Sequence, residues 1–321
     1  MSKIMFVGDA HLSPRIPASR KDDYPETLLR KLDSIRKLAI LKGVSDIVFL
    51  GDLFNAKHMT LSYFIKSFKE FKLMDEQGIT LHTVIGNHDI TYDNDSTLEE
   101  SAIRLLYDSD VLDVRSIFTV DNTTVYLYNF TQLVSTLPKP QRMDEYNILA
   151  GHYFYLTGFN DIEHTLTPQQ CIQLGYNAYI LGHDHTPYTP VKQQSYEVHR
   201  PGSLSRGTSQ TCQVQREEIN VVLLDTQSHQ FTYEDIPDIL PSKDAYKEAN
   251  LIDKFTLSSI SDSLKDLLAD LTFDNSSDIF ETLNQIPMDS AVRECIISYL
   301  NNEGVYNRTG DEQQWIQTRH Y

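Results

Sequence analysis

The sequence predicts an α/β fold: a β-sandwich of two mixed sheets flanked by helices, in α/β/β/α order, with a small C-terminal helical extension. Three observations predict it. Short apolar runs alternate with amphipathic helical stretches through the first half of the chain. Five of these runs stop on a glycine. From about Ile117 onward, further β runs follow without long helices between them.

The five runs are "KIMFVG" ending at Gly8, "SDIVFLG" at Gly51, "ITLHTVIG" at Gly86, "NILAG" at Gly151 and "AYILG" at Gly182. A buried strand ends in this way where the chain turns out at a sheet edge. Between them, Leu28, Leu29, Leu32, Ile35 and Leu38 fall on one helical face, and Phe64, Phe68, Phe71 and Met74 form a second stripe. In "TLEESAIRLLYDS", Thr97 stands three residues ahead of Glu100, the spacing of a capping box. The runs "IFTV", "TVYLYNF", "INVVLLD" and "HQFTYEDI" are assigned to the second sheet.

The β signal stops around Pro237 to Lys243, which divides the chain into a domain over 1–240 and a mainly helical region over 241–321. In the latter, Ile260, Leu264, Leu267, Leu268 and Leu271 share a face. "SDIFETLNQI" follows, and then "DSAVRECIISYLNNEG" with Gly304 as a cap. This region holds 7 basic and 14 acidic residues, a net of −7, and is too short for much of a core of its own. It is expected to dock on a partner.

Composition excludes several classes. No run approaches 18 apolar residues, so no membrane span is expected. "MSKIMFVGDAHL" is too short and too quickly polar for a signal peptide. Cys171, Cys212 and Cys295 are scattered without a CxxC spacing, which points to a reducing, cytoplasmic compartment and away from a thiolate zinc site. The net charge is −17, from 28 basic and 45 acidic residues. Affinity for nucleic acid comes largely from neutralised phosphates, so any such work needs a local basic patch or a partner.

The chemistry sits where the strands end. Asp9 and His11 follow the first run and Asp52 the second. Asn87, His88 and Asp89 follow the third, His152 the fourth, and His183, Asp184 and His185 the fifth. One Asp or His in such a place is ordinarily a cap or turn residue. Five strands delivering such groups to one crevice mark a metal site. Two carboxylates, one amide oxygen and four imidazoles suit Mn, Fe, Zn or Co better than Mg or Ca alone. Seven ligands are too many for one ion with open positions and about right for two, ~3.5–4 Å apart.

Taken in order, "GDAH", "GDLF", "GNHD", "GH" and "GHDH" resemble the calcineurin-like metallophosphoesterases, over roughly residues 1 to 235. Within that superfamily the chain looks most like the SbcD-type nucleases, subunits of DNA repair and recombination complexes, phage recombination endonucleases among them. That narrower resemblance rests on "GDLFNAKH", "RPGSLSRG" and the C-terminal helical extension. It implies that Asp9, His11, Asp52 and His185 hold one metal. Asp52, Asn87, His152 and His183 would hold the other, with Asp52 bridging. Two divalent ions are implied, Mn foremost, with Mg, Fe, Co and Zn as alternatives. His88 is implied to stabilise developing charge or protonate the leaving group, with Asp89 orienting it.

The implied partners are DNA, an SbcC-type ATPase docked on the C-terminal helices, and a second copy of the chain as a homodimer. The compartment would be the host cytoplasm if the chain is phage-encoded. Arg15, Arg20, Lys21, Lys57, Arg200 and Arg206 follow the motifs and are expected to form a phosphate-tracking rim. His58 and His199 are candidate substrate contacts beside it. His82 is expected to be structural, His164, His229 and His320 exposed, and Trp315 an anchor on a partner or packed locally. The alternative activity is that of a phosphatase or phosphodiesterase acting on small phosphate esters or cyclic nucleotides. A third reading is a regulatory subunit whose acidic surface recruits a partner.

Overall fold

The computed structural model describes residues 2–91, 94–155, 163–237 and 239–247. The chain falls into two units, Met1–Lys254 and Phe255–Tyr321. The helices expected after residue 250, with Gly304, Trp315 and His320, lie outside the described residues.

In chain order the first unit begins with β1 (Lys3–Val7), α1 (Tyr24–Lys42), β2 (Asp46–Phe49), α2 (Leu61–Glu76), β3 (Thr80–Thr83) and α3 (Ala102–Asp108). Then come β4 (Ile117–Val120), β5 (Thr123–Tyr128), β6 (Tyr146–Gly151), β7 (Phe154–Tyr155), β8 (Thr165–Leu166), α4 (Pro168–Leu174) and β9 (Ala178–Leu181). The unit closes with β10 (Tyr188–Lys192), β11 (Glu197–Arg200), α5 (Thr211–Val214), β12 (Asn220–Asp225), β13 (Gln230–Asp235) and α6 (Ser242–Ala245).

Each of the five glycine-ended runs is a strand, but they do not share a sheet. One sheet has the order β13-β12-β1-β2-β3 and the other β10-β11-β9-β6-β5-β4. Both are mixed. β1, β2 and β3 run parallel while β12 is antiparallel to β1, with Lys3 opposite Asp225. In the second sheet β5, β6, β9 and β11 are parallel, and β4 and β10 close the edges antiparallel. The runs "INVVLLD" and "HQFTYEDI", expected in the second sheet, are β12 and β13 of the first. Their alternation marks them as strands, but strand pairing with β1 is a long-range choice that period alone does not encode.

Period-2 alternation builds the layers. Ile4 and Phe6 of β1 face inward and pack with Val48, Leu50, Val125, Ile148, Ala150 and Ile180 between the sheets. Met5 and Val7 face outward onto Leu28, Leu32 and Ile35 of α1 and Phe71 and Met74 of α2. On the far side Tyr126, Leu149, Tyr179 and Leu181 pack with Cys171 and Leu174 of α4. The result is the expected α/β/β/α sandwich.

Local signals place the helix ends. Asp23 accepts from the Glu26 N–H at the start of α1, and Gly43, at φ 68°, takes the left-handed position after its end. The capping box expected at Thr97 and Glu100 does not form. Ser101 caps α3 instead, Thr97 Oγ1 accepts from the Thr91 N–H, and Glu100 pairs with Lys57. A capping box does form at α4, between Thr167 and Gln170. No helix among the described residues is long and apolar enough to cross a membrane. Residues 242–247 return to the first unit, where Lys247 N–H donates to Ser19 O and Tyr246 OH to Arg206 O.

Candidate metal centre

The carboxyl ends of the two sheets meet, and every expected ligand sits at that junction. Contact this close requires glycine. A Cβ on Gly182, after β9, would stand 2.2 Å from Leu50 O and 2.7 Å from Asp9 Oδ1. Gly51, after β2, has φ 97°, and a Cβ there would stand 2.2 Å from His152 Nδ1. The glycine that ends a run therefore lets one sheet's ligand loop pass against the other's.

The ligand backbones are themselves strained. His11, Asp52 and His183 have φ of 45°, 45° and 77°, in the left-handed region that costs a non-glycine residue about 1–3 kcal/mol. The strain turns their side chains into the junction. His11 N–H is pinned to Asp52 O at 2.8 Å, and His183 N–H donates to both carboxylate oxygens of Asp9 at 3.1 Å.

Two ligand groups result, Asp9–His11–Asp52–His185 and Asp52–His152–His183, with the atoms of each within 4.8 Å of one another. Asp52 belongs to both. In the first, His11 Nε2 lies 2.9 Å from His185 Nε2 and 3.6 Å from Asp52 Oδ2, and His185 Nε2 lies 3.4 Å from Asp9 Oδ2. In the second, His152 Nε2 lies 3.4 Å from Asp52 Oδ2, 3.0 Å from His183 Nδ1 and 3.2 Å from Asn87 Oδ1. All seven expected ligands are thus brought together, in the two expected sets.

The donor chemistry fits divalent cations. Imidazole nitrogens brought together at 2.9–3.0 Å beside buried carboxylates form a donor set that suits a divalent cation. Burial pushes His11 down to about 3, and likewise lowers His183, which keeps both neutral. Burial also raises Asp9, against the pull of His152 and His185. Burial opposes charge on Asp52 and His152 too, but their mutual attraction outweighs it. Asp52 is held well below the usual carboxylate range, and His152 is pushed up to about 9. Binding of a cation in that half therefore releases the His152 proton.

His88 is exposed at the rim, its ring edge-on to His11 with centroids 4.8 Å apart. Its backbone N–H donates to Asp52 Oδ1 at 2.8 Å. Asp89 does not orient it. The Asp89 carboxylate is buried and accepts from the N–H groups of Gly86, Phe54 and Leu53 at 3.0, 3.1 and 3.3 Å, tying two ligand loops together. The partner of His88 Nδ1 is the Asn55 carbonyl at 3.1 Å. A side chain two bonds from its backbone and flanked by free N–H groups folds back onto them, which sequence spacing does not reveal.

The expected basic rim is mostly not a rim. Arg206 is 1% exposed and donates to Gln213 O, Leu240 O and Ser242 Oγ. Arg20 is 2% exposed and holds Asp22 and Arg206 O. Arg200 is buried beneath Tyr188, its guanidinium 3.8 Å from the ring, and His199 lies buried against Phe231. Lys57 pairs with Glu100 at 2.8 Å. Arg15, Lys21 and His58 are exposed. His82 is structural as expected, 3.0 Å from Asp46 and stacked on Phe118. His164 and His229, expected on the surface, instead stack on Phe130 and Tyr146.

Four contributors escaped the sequence reading. Phe130 and Phe154 wall His183, with centroids 5.2 and 4.2 Å away. Buried Gln213 reaches His185 Nδ1 at 2.8 Å. Leu50 O receives His152 Nδ1 at 2.8 Å. None lies in a motif, and a main-chain carbonyl has no sequence signal at all.

A profile of the calcineurin-like phosphoesterase family matches residues 2–187. Among solved structures, the chain is similar to the protein TT1561 of Thermus thermophilus, at 13% identity and a TM-score of 0.45, over 73% of this chain and 98% of that one. It is also similar to a dimetal phosphatase from Danio rerio, at 10% identity and a TM-score of 0.49, over 73% of this chain and 95% of that one. No curated protein matches the chain.

Proposed function

The chain belongs to the calcineurin-like phosphoesterase family, hydrolases of phosphoester bonds, and from that premise we propose that it is the nuclease subunit of an SbcCD-type DNA repair or recombination complex. The observation that carries the reading is the surface setting of the centre. Asp9, His11, Asp52 and His152 are buried, while Asn87, His88, His183 and His185 line its open side. A centre lying open at a junction of loops suits a phosphodiester within a polymer better than an enveloped small ester. The motifs "GDLFNAKH" and "RPGSLSRG" support the same reading.

Two divalent cations, Mn foremost, would be held by the two sets that share Asp52, and when bound they supply water activation and charge stabilisation. The chain's own residues do the rest. Asp52 fixes the spacing of the two halves and, through its Oδ1, the turn that carries His88. With its Nδ1–H donated to Asn55 O, His88 keeps Nε2 for proton transfer to the leaving 3′ oxygen. Phe130 and Phe154 shield one flank of His183 from water.

The test pairs linear DNA with p-nitrophenyl phosphate in Mn buffer. Degradation of DNA is expected, with His88→Ala reducing it by about 10²–10⁴-fold while two metals stay bound. Hydrolysis of the monoester with DNA left intact would reject the nuclease reading. It would favour a small-ester phosphatase, a reading with its own support in the burial of Arg20, Arg200 and Arg206. An SbcC-type ATPase docked on residues after 240 and a homodimer complete the proposed assembly. A co-purification comparing the full chain with a chain ending near residue 250 addresses the ATPase.

A further inference from the structure

The two halves of the centre differ in how their histidines are held from behind. A histidine that binds a cation through one ring nitrogen carries its proton on the other, and the partner of that second nitrogen sets how readily the ring adopts this form. In the second half the arrangement is favourable: His152 Nδ1 faces the Leu50 carbonyl at 2.8 Å, and a carbonyl can only accept. Once the ring is neutral its proton therefore stays on Nδ1, and Nε2, the nitrogen at the centre, is the one freed for a cation.

The first half lacks this. His185 Nε2 faces Asp9 and His11, so its Nδ1 must carry the proton when a cation binds. That Nδ1 lies 2.8 Å from the side-chain amide of Gln213, which is fully buried. The other end of the same amide meets the Thr208 backbone N–H at 3.0 Å. A backbone N–H only donates. One amide oxygen therefore faces two N–H donors from opposite ends, and it can satisfy one of them. Here the oxygen serves Thr208, and the amide nitrogen donates to His185 Nδ1. This matches the tautomer with the proton on Nε2, the wrong nitrogen for a ligand. Turning the amide over only moves the mismatch to Thr208. The conflict does not depend on which amide atom is oxygen. The His11 Nδ1 of the same half is buried and has no hydrogen-bond partner among the described residues.

Nor can Gln213 easily withdraw. Its N–H donates to Gln210 O and its carbonyl accepts Arg206 Nε at 3.1 Å. Arg206 is anchored in turn to Leu240 O and Ser242 Oγ.

We propose that Gln213 is a positioning residue that holds down the cation affinity of the Asp9–His11–Asp52–His185 half, by opposing the His185 tautomer that coordination requires. The proposal rests on the two-metal reading of the centre and is independent of the substrate. Gln213→Glu in the full chain tests it, since a carboxylate presents an acceptor oxygen to each N–H. Mn titrations followed by calorimetry and by electron paramagnetic resonance give the two dissociation constants. One is expected to fall about tenfold, and the other by less than about threefold. Two constants unchanged, or lowered alike as an added charge alone would do, overturn the proposal. A wild-type chain that binds no Mn removes the two-metal reading and this proposal together. Two Mn bound with identical constants in both proteins remove this proposal only. Should the variant fail to fold, ring ¹⁵N shifts of the metal-free wild type decide: His185 protonated on Nε2 supports the mismatch, and His185 protonated on Nδ1 refutes it.

Discussion

Asp52 and Asp89 are both buried carboxylates following a strand-ending glycine, yet they do different work. Asp52 turns one oxygen, Oδ2, toward the imidazoles of both groups and takes the His88 N–H on the other, while Asp89 spends both of its own on backbone N–H groups of the loops that carry Asn87 and Asp52. Burial and the nearby Asp52 push Asp89 up to about 7, so what it gives the fold is acceptor oxygens, and losing one of them should weaken the fold rather than retune His88. We expect Asp89→Asn to destabilise the chain by about 1–3 kcal/mol, read by denaturant unfolding, with the pH dependence of the remaining activity unchanged. A shifted pH profile in a fully stable variant would restore Asp89 to the side of His88. The ligands were legible in the sequence because each motif repeats the same device, a polar ligand just after a strand-ending glycine, although His11, Asp52 and His183 leave the strand in left-handed turns rather than in extended chain. Gln213, Phe130 and the carbonyls of Leu50 and Asn55 were not, because their contribution is a contact made by tertiary folding.

At the scale of elements, the apolar runs gave away the strands that carry the ligands but not β7, β10 or β11, nor which sheet each strand joins. β12 is antiparallel to β1 across more than two hundred residues of chain, and nothing local in "INVVLLD" records that pairing. The strand-ending glycines were legible as breaks, though their role at the junction appears only when the sheets are brought together. Gly182→Ala forces its new methyl against Leu50 O and Asp9 Oδ1. It should cost about 1–3 kcal/mol and lower bound metal, as measured by elemental analysis of the purified protein; full occupancy would show that the junction yields. His199 in β11 carries a second prediction. Burial against Phe231 and Tyr233 pushes it down to about 4 from an ordinary 6.5, against the pull of Glu197. Because the folded chain holds this ring neutral, its contribution to stability is present above pH 6.5 and is lost as the pH falls toward 4. His199→Phe should lose less melting temperature between about pH 7 and pH 5 than the wild type does. Equal losses would place the acid sensitivity elsewhere.

Across the molecule, ligands come from both sheets: Asp9, His11, Asp52 and Asn87 from loops of the first, His152, His183 and His185 from loops of the second. Cations bound there join the two layers, so occupancy should register as global stability. At a free Mn concentration a thousandfold above the dissociation constant, the gain is about 4 kcal/mol. A chelator should lower the melting temperature in proportion, and an unchanged melt would mean that the centre does not join the layers. Charge is distributed on the same scale. Arg20, Lys31, Arg206 and Arg216 are buried beneath or beside the 201–206 loop, donating to backbone carbonyls there and at Gln213, Glu218 and Leu240. These cations are withdrawn from any phosphate-binding face, and with the chain's net of −17 recruitment by a partner fits the proposed work on DNA. The return of residues 242–247 onto Arg206 sets an order of events during synthesis. Asp9 is made well before Leu204, whose N–H donates to Asp9 O and which belongs to a loop braced by Arg206 and hence by Leu240 and Ser242. On the ribosome, the centre's first ligand waits for more than two hundred further residues to emerge, so a stalled or shortened nascent chain carries the motifs without the finished site.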